Sequence, residues 1–189
     1  MNKPRTCKWC KQRFVPIRQK QVCCAPECAE MYAGKVRARA EQINALESRK
    51  TLRMEKEKTK TRSQVLKEAQ AAFNQYIRAR DRLAGHPCIS SGQPLDWSGN
   101  NVDAGHYRST GSAPHLRFNE NNCHAQSKKD NRWLNGNVVD YRINLIKRIG
   151  LKAVEKLESD NTPKKYSINE LKEIKSTYKL KLKELAKGQ

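Results

Sequence analysis

Between Lys35 and Ala84 the chain contains no glycine and no proline, and this stretch decides most of what it can fold into. Its residues are mostly alanine, glutamate, lysine, arginine and glutamine, which all favour helices. Arg49 to Arg62 contains seven basic and two acidic residues and almost no apolar face, which predicts an exposed helix or a partly frayed linker. The part after it has an apolar stripe at helical spacing, which predicts a packed helix. The stripe consists of Val65, Ala69, Phe73, Ile77 and Arg80.

The rest of the chain has a mixed character that predicts an α+β protein. Residues 86–136 are rich in glycine, asparagine, serine and proline, which is typical of short strands and loops around a site. Three helices are expected after them, and the last begins with a capping box formed by Ser167 and Glu170. The predicted parts are a zinc-knuckle module at 1–34, a basic helical linker at 35–64, a core with its packing helices at 65–150, and C-terminal helices at 151–189.

The charge of the chain limits its partners. Lysine and arginine number 39 against 19 acidic residues in 189, which gives a net charge of +20. Such a field attracts a polyanion, so nucleic-acid binding is expected. Only 37% of residues are hydrophobic, which favours several small packing units over one large core. The apolar runs are too short to span a membrane and the N-terminus lacks a secretory signal, so a cytoplasmic protein without a membrane partner is expected.

Five of the seven cysteines lie within residues 1–28. Cys7 and Cys10 form a C-x-x-C pair, Cys24 and Cys28 form a C-x-x-x-C pair, and thirteen residues lie between the two pairs. In the cytoplasm such pairs are more often metal ligands than disulfides, and this spacing is typical of tetrahedral zinc. Cys23 is an alternative to Cys24 as a ligand. Free thiols in a disordered tail are disfavoured, because this segment has too little apolar mass to fold without a metal.

The polar segment from Asp103 to Asn131 collects residues that hydrolytic chemistry needs. A phosphodiester is hydrolysed by an activated water while its charge is neutralised, and a divalent metal with a general base supplies both. Asp103 offers a hard oxygen ligand, and His106 offers a ligand or a base. His124 and Asn131 offer further ligands, and Asn122 can orient the imidazole of the base. By spacing alone, the same residues also fit a solvated polar turn.

Basic side chains in and before this segment are candidates for contacts with phosphates. Arg108 and Arg117 can each hold a phosphate through two parallel hydrogen bonds. Other cations attract phosphates by charge alone, and these are Lys56, Lys58, Lys60 and Arg62. A nucleic acid is therefore the expected partner, and no small-molecule cofactor is expected.

Three motifs carry a resemblance to a known family. They read DAGHYRS at 103–109, APHLRFNE at 113–120 and NCHAQ at 122–126. Together with the four N-terminal cysteines, they resemble the NinG (Rap) recombination proteins of lambdoid phages, whose core is similar to the HNH endonucleases. The resemblance covers nearly the whole chain. It implies a small ββα-metal (HNH-like) core and structure-specific cleavage of branched DNA, such as D-loops and Holliday junctions, inside the bacterial host cell.

The resemblance also implies roles for single residues. His106 is the expected general base, and Asp103 and Asn131 are the expected ligands of a catalytic Mg²⁺ or Mn²⁺, with His106 as a further candidate. Asn122 corresponds to the asparagine in the middle of the HNH motif. His124 is either an additional metal ligand or a residue that contacts the ligands without binding the metal. The alternative is an accessory protein that binds DNA junctions without cutting them, and a third option is a zinc-containing RNA or ribosome binder. A homodimer would suit a symmetric junction.

The chain departs from the family pattern at a second set of four positions. Related proteins usually carry cysteines there, which would bind a structural zinc. This chain carries Cys88, Ser91, Ser127 and Asp130. A serine hydroxyl is a poor zinc ligand, so no tightly bound zinc is expected in this set. Two outcomes follow: either the catalytic loop is less rigid and the activity is weaker, or hydrogen bonds and packing replace the zinc.

Overall fold

The computed structural model describes residues 3–188, which form two compact units that divide between Lys60 and Thr61. The first unit begins with an antiparallel hairpin of two short strands, β1 (Arg5–Thr6) and β2 (Arg13–Phe14). A loop of residues 15–25 and a single helix, α1 (Pro26–Lys58), follow the hairpin.

The helix α1 contains no buried residue, so it is the exposed helix that the basic composition predicts and not a frayed linker. It begins at Pro26 and continues through Gly34, because one glycine inside a helix costs only about 1 kcal/mol. The predicted boundary between 34 and 35 therefore falls inside α1, and the cysteine-rich segment and the basic helix belong to one unit.

The second unit begins with α2 (Arg62–Leu83), whose first turn is capped by Thr61 and Gln64. Its buried side chains confirm the predicted apolar stripe, and they are Val65, Ala69, Ala72, Phe73, Ile77 and Asp81. The hairpin of β3 (Val102–His106) and β4 (Cys123–Ser127) lies against this helix, and its strands are antiparallel.

The chain then forms a π-helical turn (Lys129–Trp133) and three helices: α3 (Val138–Ile149), α4 (Leu151–Ser159) and α5 (Ile168–Lys187). The capping box of Ser167 and Glu170 is present at the start of α5, as predicted.

Small apolar clusters fix the hairpin between helices. One cluster joins α2 and α5 to the hairpin through Phe73, Ala104, Cys123 and Tyr178. Another joins α3 and α4 to the loops beside the hairpin, with Tyr141 at its centre. Since α5 packs on α2 and α4 packs on α3, the helices after residue 150 belong to the same unit as the hairpin. The fold is α+β with several small cores, as the composition predicts. Within residues 3–188, no helix combines the length and apolar character needed to cross a membrane.

Candidate functional site

Four cysteines from two segments of the first unit converge on one point. The sulfurs of this cysteine cluster (Cys7, Cys10, Cys24 and Cys28) all lie within 4.8 Å of one another. Two of the separations, Cys10 to Cys24 and Cys24 to Cys28, are 3.5 and 3.6 Å. Tetrahedral zinc with Zn–S bonds of about 2.3 Å places sulfurs about 3.8 Å apart. The cluster can therefore hold a metal ion such as zinc, and the donor set fits it.

Local structure brings these cysteines together. Cys7 follows β1 and accepts a hydrogen bond from the backbone N–H of Cys24 at 3.5 Å. Burial raises the pKa of Cys7, but hydrogen bonds from backbone N–H groups outweigh it and bring the pKa to about 5. Hydrogen bonds with Cys10 and Cys28 raise the pKa of Cys24 to about 12. Cys23 is buried outside the cluster, so the structure selects Cys24 over Cys23.

The β3–β4 hairpin presents the predicted catalytic residues on two different faces. Side chains alternate along a strand, so residues three apart point in opposite directions. His106 lies on the face with Ala104 and Cys123, which packs on α2. Asp103 lies on the other face, opposite Gln126. The expected metal site of Asp103, His106 and Asn131 is therefore not assembled in this structure, because two of its members point apart.

Asp103 and Asn131 do meet. The amide Nδ2 of Asn131 donates to Asp103 Oδ2 at 3.0 Å, although 28 residues separate them. Arg132 also donates to Asp103 Oδ2, through Nε at 2.9 Å. The carboxylate side chain is 13% exposed and the arginine side chain is 61% exposed. This face of the hairpin thus holds an anionic oxygen, an amide and a movable cation within one small volume.

His106 is held firmly on its own face. Its Nε2–H donates to the carbonyl of Arg117 at 2.9 Å, and its Nδ1 lies 3.6 Å from the sulfur of Cys123. Its ring lies 6.0 Å from the ring of Phe73. Burial lowers the pKa of His106 below its usual range, so the imidazole is neutral at pH 7. A neutral imidazole can accept a proton, but this one lies away from Asp103.

Asn122 does not orient His106 as the sequence predicts. It is fully buried, its Oδ1 accepts the backbone N–H of Arg108 at 2.9 Å, and its Nδ2 donates to the carbonyl of Arg108 at 3.0 Å. A second carbonyl, that of Leu116, accepts from Nδ2 at 3.3 Å. Asn122 therefore ties both ends of the loop between the strands to the hairpin.

His124 lies in a buried hydrogen-bond network. Its Nδ1 accepts from Arg80 at 3.0 Å and its Nε2–H donates to the carbonyl of Asn121 at 3.2 Å, so both nitrogens are used. Burial lowers the pKa of His124 to about 3, and the arginines beside it act in the same direction. Nearby, the buried carboxylate of Asp81 accepts the backbone N–H of Ala125 at 2.6 Å. This network anchors α2 to β4.

The four positions that replace the second cysteine set also converge. We call Cys88, Ser91, Ser127 and Asp130 the Asp130 cluster. Asp130 Oδ2 accepts from Ser127 Oγ at 2.7 Å and from the Cys88 thiol at 3.2 Å, and Ser91 also donates to the carboxylate. Burial raises the pKa of Asp130, but these hydrogen bonds outweigh it and lower the pKa below its usual range. Hydrogen bonds satisfy the cluster, which agrees with the second of the two alternatives, the replacement of the zinc by hydrogen bonds.

Most of the side chains that were predicted to bind phosphates form hydrogen bonds or ion pairs within the protein. Arg108 caps the end of α4, where it donates to the carbonyls of Leu157 and Asp160 at 2.9 and 2.5 Å. Arg117 donates to Gln70 and to the carbonyl of Thr110.

The four predicted phosphate-binding cations between residues 56 and 62 also differ in whether they have partners inside the protein. Arg62 donates to the carbonyl of Tyr166 at 2.7 Å, and Lys60 pairs with Glu57. Lys56 and Lys58 are exposed at the end of α1. They are the predicted cations that remain open to a phosphate.

Sequence reasoning missed the network around Asp81. The signal was present, because Arg80 lies on the apolar stripe of α2, where a charged residue is rarely placed without a buried partner. The structure supplies that partner, with Arg80 Nε 2.7 Å from Asp81 Oδ1.

Comparison with known proteins agrees with the resemblance. A family model described as Bacteriophage Lambda NinG protein matches residues 1–188. The protein called Protein ninG from Escherichia phage lambda is 41% identical over 202 residues, which cover 98% of this chain and 96% of that protein. The protein of the same name from Salmonella phage P22 is 40% identical and covers 93% and 90%. No solved structure matches. The chain belongs to the NinG family.

Proposed function

We propose that this protein binds branched DNA during phage recombination and cuts it by hydrolysing a phosphodiester bond with the help of Mg²⁺ or Mn²⁺. The observation that carries the proposal is the meeting of Asp103 and Asn131 on one face of the β3–β4 hairpin. Carboxylate and amide oxygens are the ligands that these metals prefer. A hairpin followed by a helical segment that supplies a ligand is also consistent with the ββα order that the family resemblance implies.

The side chains at this point suit a divalent cation. A half-turn of the Asn131 amide exchanges its nitrogen and oxygen, so Oδ1 then points where Nδ2 points now. Arg132 already supplies positive charge to Asp103, which supports a preference for cations at the carboxylate. A bound divalent metal would supply an activated water and neutralise charge on the phosphate. Arg132 is exposed enough to turn from Asp103 toward a phosphate oxygen.

His106 has a different role in this proposal from the one expected from sequence. Its contact with the carbonyl of Arg117 fixes the loop that leaves β3, and its opposite direction from Asp103 separates it from the proposed metal ligands. We therefore assign His106 as a positioning residue.

The second candidate function is junction binding without cleavage. The observation that favours it is the same separation of Asp103 from His106, because a nuclease of the expected type needs a base beside its metal. Both candidates require DNA binding, which the net charge of +20 supports. They differ only in whether a phosphodiester bond is broken.

A nicking assay separates the two candidates. The intact protein is incubated with a labelled four-way junction in Mg²⁺ or Mn²⁺, and binding is measured in parallel by anisotropy. The proposal predicts nicks by the unmodified protein, none by Asp103→Ala, and unchanged nicking by Asp140→Ala, an exposed acid on α3. Binding by all three should agree within a few-fold. Binding without nicks would favour the second candidate, and full activity in Asp103→Ala would contradict the metal site.

His106 is tested in the same assay. As a general base its loss should lower the rate by about 10²–10⁴ and remove an acidic limb from the pH–rate profile. As a positioning residue, its loss should lower the rate and leave the shape of the profile unchanged. A flattened acidic limb in His106→Gln would contradict our assignment.

A further inference from the structure

We propose that a pocket between α2 and the loop of residues 97–102 binds one unpaired nucleotide of the DNA. The choice of DNA as partner rests on the proposed function, and the pocket itself rests on separate observations. It encloses about 300 Å³. Its wall includes Arg78, Arg82, Trp97, Asn100 and Val102. This size is at the lower end for small-ligand sites, so it fits a nucleotide and not a duplex.

The pocket combines an aromatic surface with a planar cation. Trp97 is half-buried, and the guanidinium of Arg82 lies 5.7 Å from the centre of its ring. Proteins bind single-stranded nucleic acid by stacking bases on aromatic rings and on arginine, whatever the base. The geometry therefore provides the two kinds of surface on which a base can stack.

The two arginines of the pocket can bind a phosphate, and for Arg82 this would add to its contact with the Trp97 ring. Arg78 and Arg82 are four residues apart and so share one face of α2. Among residues 3–188, neither forms an ion pair with a carboxylate. Arg80 between them differs, because it is committed to Asp81 and to the carbonyls of β4 and the turn before it. The open guanidinium groups are thus on the pocket side, where a phosphate of the same nucleotide can be held.

Hydrogen bonds hold the loop that carries Trp97 in place. Asp96 Oδ1 accepts from the backbone N–H of Ser98 at 2.9 Å, and Asp96 Oδ2 accepts from Asn101 Nδ2 at 2.6 Å. The carbonyl of Asn101 accepts the backbone N–H of Lys128 at 3.0 Å, which fastens the loop beyond β4. A wall that is ordered before binding loses little entropy when a ligand arrives.

The pocket selects an unpaired nucleotide, and it lies at the start of the strand that carries Asp103. In a continuous duplex each base is covered by its neighbours, so only an unpaired base can offer a face to Trp97. Val102 lines the pocket, and the next residue along β3 is Asp103. A nucleotide in this pocket would therefore lie on the α2 face at the start of β3, while the Asp103 carboxylate points to the other face of the same strand.

The test compares DNA affinity for two probes. One probe is a forked DNA with several unpaired nucleotides at the fork, and the other is a continuous duplex of equal length. Trp97→Ala in the intact protein should weaken binding of the fork by about 10- to 100-fold, while duplex binding changes less than two-fold. Trp97→Phe should recover most of the loss, since it keeps a stacking ring. The matched control is Trp133→Ala, which removes an indole that is 81% exposed.

A second measurement guards against a variant that fails to fold. With Trp9 and Trp133 changed to Phe, Trp97 is the single tryptophan, and the fork should quench its fluorescence while the duplex should not. Arg78→Ala with Arg82→Ala should remove the preference for the fork, whereas Lys67→Ala on α2 should leave it unchanged. Binding of the fork without quenching, or equal losses for fork and duplex, would overturn the pocket. These readouts measure binding, so a failure to cut DNA would contradict the proposed function and leave the pocket standing.

Discussion

The cysteine cluster of the first unit and the Asp130 cluster of the second unit each join two chain segments through four side chains, but they do so with different chemistry. In the first, four sulfurs lie within 4.8 Å of one another and can together hold a metal ion such as zinc. In the second, one carboxylate accepts hydrogen bonds from a thiol and from hydroxyl groups, and the set is satisfied as it stands.

The comparison indicates two ways to join chain segments through four side chains, one with a metal ion such as zinc and one with hydrogen bonds. Structural zinc contributes on the order of 10–16 kcal/mol, whereas hydrogen bonds to a charged group contribute about 1.5–3 kcal/mol each. The weaker cluster is sufficient in the second unit because that unit also has apolar cores of its own. The turn that it braces also carries Asn131, directly after Asp130, so this cluster positions the residue that meets Asp103.

The largest effect is expected from removing a thiol of the cysteine cluster. Cys10→Ser should lose the zinc and expose the backbone amides of residues 3–28, because the metal-binding energy of about 10 kcal/mol or more is also the folding energy of this segment. Metal analysis and hydrogen exchange measure the two effects. Cys23→Ser is the matched control and should keep its zinc. A Cys10→Ser protein that retains zinc and full protection would contradict the assignment.

The next largest effect is expected from replacing the other three side chains of the Asp130 cluster by cysteines. Ser91→Cys, Ser127→Cys and Asp130→Cys together create four thiols with Cys88 and should add one zinc per chain and raise the melting temperature. Each single change should add none, since two thiols with open positions hold zinc weakly. If the triple variant binds no additional zinc, the four positions are not close enough in solution to share a metal.

Removing the carboxylate of the Asp130 cluster should have a smaller but clear effect. Asp130→Ala leaves the donors of Cys88, Ser127 and Asn137 without their acceptor, which should cost about 3 kcal/mol of unfolding free energy. Urea denaturation measures it, with Glu155→Ala on the exposed face of α4 as the control. Equal stability of the two variants would show that packing alone braces this turn.

The smallest effect is expected from single hydroxyl groups. Ser127→Ala removes one donor to Asp130 and one acceptor from its backbone N–H, and should cost about 1 kcal/mol. Ser91→Ala should cost less, because Ser91 is exposed and water can replace its hydroxyl. A larger loss of unfolding free energy for Ser91→Ala than for Ser127→Ala would show that the hydroxyl of Ser91, and not that of Ser127, is the main donor to Asp130.

Sequence predicted the parts of the molecule that depend on local spacing. The long exposed helix, the apolar stripe of α2 and the capping box of α5 all follow from residues a few positions apart. The cysteine pairs belong to the same class, since each pair lies within one turn. The packing of α5 on α2 does not follow from local spacing, because it joins residues far apart in the chain.

The candidate site was harder to predict because it depends on direction and on distant partners. Asp103 and His106 are close in sequence, and a strand at 102–106 turns them to opposite faces, which the motif alone does not reveal. The arginines illustrate the second difficulty. Arg62 donates a hydrogen bond to a carbonyl 104 residues away in the chain. Nothing near Arg62 in the sequence distinguishes it from Lys58, which is exposed.

The zinc content of the intact, purified protein tests the contrast between the two clusters most directly. Mass spectrometry under native conditions counts metal ions per chain without any substitution. We predict one zinc per chain. A strong chelator should remove this zinc and unfold residues 3–28, while the second unit keeps its melting temperature. Two zinc ions per chain, or melting of the second unit on chelation, would contradict the account of a metal-free Asp130 cluster, and a protein that folds without zinc would contradict the account of the cysteine cluster.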